Sequence, residues 1–112
     1  MADTAVIPVI TDPEAAELVT QLGLHAELEA MLKHARQTIP GLLRLHVTFA
    51  EPYDTGLDPA ILIEAVRDAS SSPPLTYEIL DQISRWRIST FSPNVLQYMT
   101  MLVYDEKQNH GG

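Results

Sequence analysis

The chain has 112 residues, 46% of them hydrophobic and 20% charged, which fits one globular domain over 1–112 better than a disordered segment. A net charge of −8, with the basic residues scattered, would repel a phosphate backbone and argues against a nucleic-acid partner. The chain has no cysteine, so disulfides, thiolate metal sites and cysteine nucleophiles are excluded; no run approaches the ~18 apolar residues of a bilayer span, and a cytoplasmic protein without a membrane partner is expected.

Residues 1–10 read as an extended arm. The apolar run Ala5 to Ile10 is broken by Pro8 and follows Asp3, unlike a signal peptide. Thr11-Asp12-Pro13-Glu14 is a helix start, with Thr11 or Asp12 as the cap and Pro13 in the first turn. Ala15, Leu18, Val19 and Leu22 follow at helical spacing, and Gly23 suits a left-handed cap. Leu24, Leu28, Met31, Leu32 and Ala35 resume the stripe up to Ile39-Pro40-Gly41, giving two helices or one kinked helix over 12–38.

Leu43 to Phe49 switches to period two, with Arg44, His46 and Thr48 on the polar side, as in a half-buried strand. The turn-forming stretch 51–59 follows. Residues 60–66 are rich in β-branched side chains and read as a second strand, closing a hairpin with 43–50. In the register expected for that hairpin, Leu45 faces Ile63, Val47 faces Ile61 and Arg44 lies opposite Glu64. After a Ser-Pro loop, Thr76 caps a helix whose buried stripe is Ile79, Leu80, Ile83 and Trp86, and Ser92-Pro93-Asn94 ends it. Residues 96–104 alternate again as a third strand, and 105–112 form a polar, flexible tail.

The expected fold is α+β: a two-layer sandwich in the order α-(α)-β-β-α-β. A small, mainly antiparallel three-stranded sheet carries its helices on one face. A helical return between strands is expected to cross over right-handedly.

Known catalytic patterns do not fit. Asp54-Thr55-Gly56 resembles the active-site triplet of small homodimeric aspartic proteases, but it follows Glu51-Pro52-Tyr53 instead of an apolar strand, and the rest of the chain is too helical. The terminal Gly111-Gly112 resembles the tail of ubiquitin-like carriers, yet the N-terminal helices are foreign to that fold. His25 and His34 are nine apart, not the i,i+4 pair of a helical metal site, so neither a metal nor a cofactor is expected. The sequence therefore leans away from an enzyme.

The remaining signal is a surface. If Leu43, Leu45, Val47, Phe49, Ile61, Ile63, Met99, Met101 and Val103 face the helices, the other face shows Arg44, His46, Thr48, Leu62, Glu64, Val66, Tyr98, Thr100, Leu102 and Tyr104. Two tyrosines and several aliphatics on an open face suggest a contact surface, for a homodimer or another protein. An alternative is a small-molecule or catalytic pocket between helix 76–88 and the sheet, near Tyr53 and Trp86.

Overall fold

In the computed structural model, which describes residues 7–51, 59–70 and 74–106, the elements are β1 (Val9–Thr11), α1 (Pro13–Leu22), α2 (His25–Thr38), β2 (Leu42–Ala50), β3 (Ala60–Asp68), α3 (Tyr77–Thr90), α4 (Pro93–Tyr98) and β4 (Met99–Glu106). The fold is α+β. Its sheet is four-stranded and mixed, in the order β1-β2-β3-β4, which corrects the expected three-stranded and mainly antiparallel one. β1 runs parallel to β2, β2 antiparallel to β3, and β3 parallel to β4.

Local chemistry explains most boundaries. Two helices form because Gly23, at φ +69°, terminates α1 in the left-handed conformation; its N–H and that of Leu24 bond to the Thr20 and Val19 carbonyls. Thr76 Oγ1 accepts from the Ile79 N–H and starts α3 as expected. Ser92-Pro93 does end α3, but it also opens α4, with Ser92 at the N-cap and Pro93 in the first turn. Residues 96–98 are consequently helical, and the last strand covers 99–106, taking Asp105 and Glu106 out of the expected tail.

β3 is extended along 60–68, as its β-branched residues suggested. Its pairing differs by two residues from the expected register: Leu45 faces Ala65, Val47 faces Ile63, Arg44 faces Val66 and His46 faces Glu64. A shift of two keeps every side chain on its own face. A bulge between Leu42 and Arg44 leaves Leu43 without an opposite residue; Leu42 is buried and Leu43 only half-buried, reversing the expectation for Leu43.

All four helices lie on one face of the sheet. Leu45, Val47, Ile61, Ile63, Ala65 and Met99 meet Ala15, Leu18, Val19, Leu28, Met31, Leu32, Ala35 and Ile83 in one buried cluster. β1 to β2 and β3 to β4 each step one place in the same direction across the sheet, with opposite strand directions and helices on the same side. The two crossovers must therefore have opposite hands, so the right-handed rule holds for only one of them. One charged side chain enters this layer. Arg67 is 2% exposed, and its Nε donates to the Pro40 carbonyl (3.0 Å) while a terminal nitrogen donates to Asp105 (3.1 Å).

Candidate interaction surface

Strand pairing arranges the outer face in cross-strand rows. Ile10, His46, Glu64 and Leu102 form one; Arg44, Val66 and Tyr104 flank it on one side, Thr48, Leu62 and Thr100 on the other. Among the described residues no helix covers these rows. Ile10 is 49% exposed, Leu102 45% and Tyr104 43%, while Leu62 and Val66 on the central strand are half-buried by their neighbours. Most of the apolar side chains thus lie over β3 and β4, with Glu64 and Thr100 among them and Ile10 apart on β1, and the side chains from β2 are polar.

The polar part is tied together within the chain. His46 Nε2 donates to Asp12 Oδ1 at 2.9 Å, Thr48 Oγ1 donates to Asp12 Oδ2 at 2.8 Å, and His46 Nδ1 lies 3.5 Å from Glu64 Oε1. Arg44 reaches across β3 to Glu106. The His46 and Thr48 hydrogen bonds hold the Asp12 carboxyl below its ordinary value of 3.8, against a weaker opposing effect of burial. Asp12 occupies the N-cap of α1, yet its side chain makes no cap bond because it is drawn to the sheet. The helix start itself is as expected, with Asp12 at the N-cap and Pro13 in the first turn; only the side-chain cap bond is absent. The cluster is not a nucleophilic relay, since the Thr48 hydroxyl donates to the carboxylate and not to the imidazole. Among the described residues no group of three or more histidines, aspartates or glutamates could hold a metal ion, and no helix is long and apolar enough to cross a membrane.

Of the residues expected on this face, His46, Thr48, Leu62, Glu64, Val66, Thr100, Leu102 and Tyr104 are there. Tyr98 is not. It ends α4 and packs half-buried against the core on the helical side, because Pro93 starts a helix where a strand was expected. The sequence missed Ile10 and Asp12 as members of the surface. A three-residue strand is too short for a periodic signal, and Asp12 carries the same side chain whether it caps a helix or bonds a histidine.

The alternative pocket is also redistributed. Tyr53 falls outside the described residues, as do Asp54-Thr55-Gly56 and Gly111-Gly112. Trp86 stacks on His34 of α2, with centroids 3.9 Å apart and planes at 3°, and meets Phe91 edge-on at 5.3 Å. Burial in this stack pushes the His34 imidazole below its ordinary value. A cleft of about 300 Å³ does lie between α3 and β4, but Leu75, Leu80, Ile83, Ser84, Arg87, Met101, Leu102 and Val103 line it, without Trp86. Comparison with known proteins found no matching family model, no matching curated sequence and no matching solved structure.

Proposed function

We propose that the chain is a single-domain, non-enzymatic interaction module whose open sheet face packs against a second copy of itself. The observation behind this reading is the asymmetry of the sheet. One face is roofed by four helices, while Leu62, Val66, Leu102 and Tyr104 lie as an apolar patch around Glu64 on the other. The one-core architecture supports the single-domain part, since α1, α2, α3 and the three longer strands supply residues to the same cluster and α4 packs against it.

Two arguments favour a second copy as the occupant. Three strands of eight or nine residues and a three-residue β1, about 4.8 Å apart, make a face of roughly 450 Å² in plan. With side-chain relief, that approaches the roughly 800 Å² per partner of a stable interface. The charges on the face are also largely paired within the chain, Arg44 with Glu106 and Asp12 with His46, so the face does not demand a partner of opposite sign. A two-fold axis across the strands would lay the β3–β4 patch of one copy on that of the other.

Size-exclusion chromatography with light scattering tests this. A dimer is expected from the wild-type chain and a monomer of unchanged circular dichroism from Leu102→Asp/Tyr104→Asp. A wild-type protein that stays monomeric at high concentration refutes the reading.

A further inference from the structure

The cleft between α3 and β4 differs in kind from the sheet face, because one wall is a strand edge that is unpaired among the described residues. The direction of its backbone groups follows from one hydrogen bond. The Ala69 N–H bonds to the Glu106 carbonyl, so Glu106 turns its main-chain groups towards β3. Strand alternation gives Leu102 and Tyr104 the same direction, and turns the N–H and C=O groups of Met99, Met101, Val103 and Asp105 to the open edge. A second contact agrees with this phase: the Met99 carbonyl is taken from the open side by an Arg87 guanidinium nitrogen at 2.9 Å. Beyond Met99, no strand pairs with this edge among the described residues.

The facing wall is apolar. Leu80, Ile83, Ser84 and Arg87 recur at i, i+3, i+4 and i+7, on one side of α3, opposite Met101 and Val103. Leu80 is exposed in part, though its spacing marked it for burial. Arg87 closes the cleft at the start of β4. Its Nε is buried with no acceptor among the described residues, and burial pushes its guanidinium below the ordinary arginine value. A partly desolvated cation with an unmet donor favours an anionic neighbour.

We propose that this groove binds the C-terminus of a partner polypeptide as an added antiparallel strand on β4, with apolar side chains between α3 and the sheet and the terminal carboxylate at Arg87. The orientation follows from the position of the charge. β4 begins at Met99, beside Arg87, so only an antiparallel strand brings its C-terminal end there. Upstream peptide residues would then pass Asp105 and Glu106, which Arg67 and Arg44 already pair, so a preference for basic side chains there comes only from the net charge of −8. Main-chain bonding supplies affinity in such additions and the alternate pockets supply selectivity. This inference does not rest on dimerisation through the sheet face.

The probe is a fluorescein-labelled decapeptide pool with lysines at the labelled end, Val, Leu or Ile at the last and third-last positions, and a free carboxylate. Anisotropy with the full chain is expected to show saturable binding. Amidating the peptide terminus, or substituting Arg87→Gln, should weaken it at least tenfold. Val103→Pro should abolish binding, since that N–H faces the open edge and is not used in the β3 ladder. In case that variant misfolds, N-methylation of the peptide at alternate residues gives the same information: one phase should block binding and the other preserve it. The proposal is overturned if the pool does not bind, if the amidated pool binds as well, or if both methylation phases bind alike. It is also overturned if the chain is a dimer that Val103→Pro converts to a folded monomer, for the edge would then belong to a second copy.

Discussion

The two helical pairs contribute very differently to the protein. α1 and α2 drive Ala15, Leu18, Val19, Leu28, Met31, Leu32 and Ala35 into the buried layer, whereas α3 buries Ile83 alone and α4 has no fully buried side chain. The C-terminal pair instead leaves Tyr77, Leu80 and Ile88 exposed and turns Trp86 sideways onto His34. Burial is thus concentrated in the N-terminal helical pair, and exposed apolar side chains in the C-terminal pair. Regions that bind tend to be drawn from the less tightly packed part of a fold.

Substitutions should separate the halves. Met31→Ala removes a fully buried side chain and should destabilise the protein by about 2–5 kcal/mol in urea unfolding. An effect below about 1 kcal/mol would show that the N-terminal pair is not the anchor. Thr76→Ala deletes the cap of α3 and should cost about 1 kcal/mol.

A pH titration probes the contact between the halves. The folded His34 imidazole titrates below its ordinary 6.5, so the unfolded chain takes up that proton first as the pH falls. Stability should therefore be complete above pH 6.5 and decline below it until the depressed folded value is passed. His34→Gln should flatten that segment of the melting-temperature profile. In the wild type, Trp86 emission should change with a midpoint below 6.5. The smallest effect is expected at Ile88, which is 66% exposed: Ile88→Ser should stay within about 0.5 kcal/mol of wild type. A larger loss there would mean that the outer side of α3 is covered in solution.

The sequence contained the core more fully than the surface. Helical spacing located the stripes of α1 and α2, and alternation located β2 and β3, because both signals come from side chains that burial forces onto one side. Leu80 and Tyr98 escaped the same logic. Leu80 keeps helical spacing without a wall to cover it, and Tyr98 keeps the alternation of the following strand while Pro93 winds it into a helix. β1 was invisible because its partner, not its own pattern, makes it a strand: the Pro8 carbonyl accepts from Leu45 and the Asp12 N–H donates to Val47. The outer-face membership of His46, Glu64 and Tyr104 was legible from parity alone, but the bond from His46 to Asp12, thirty-four residues away, was not.

Arg67 answers a problem that alternation leaves open. Ile61, Ile63 and Ala65 would satisfy the same apolar layer if β3 slid along β2 by one pleat, so aliphatic character cannot choose between the two alignments. The guanidinium can, because its acceptors are fixed points at Pro40, behind the start of β2, and at Asp105 on β4. Sliding would strand the cation among hydrocarbon, with several kcal/mol of desolvation left uncompensated. One polar residue near the end of a central strand thus acts as a detent, and an aliphatic in its place should yield a chain that is still ordered but heterogeneous in how its central strands mate.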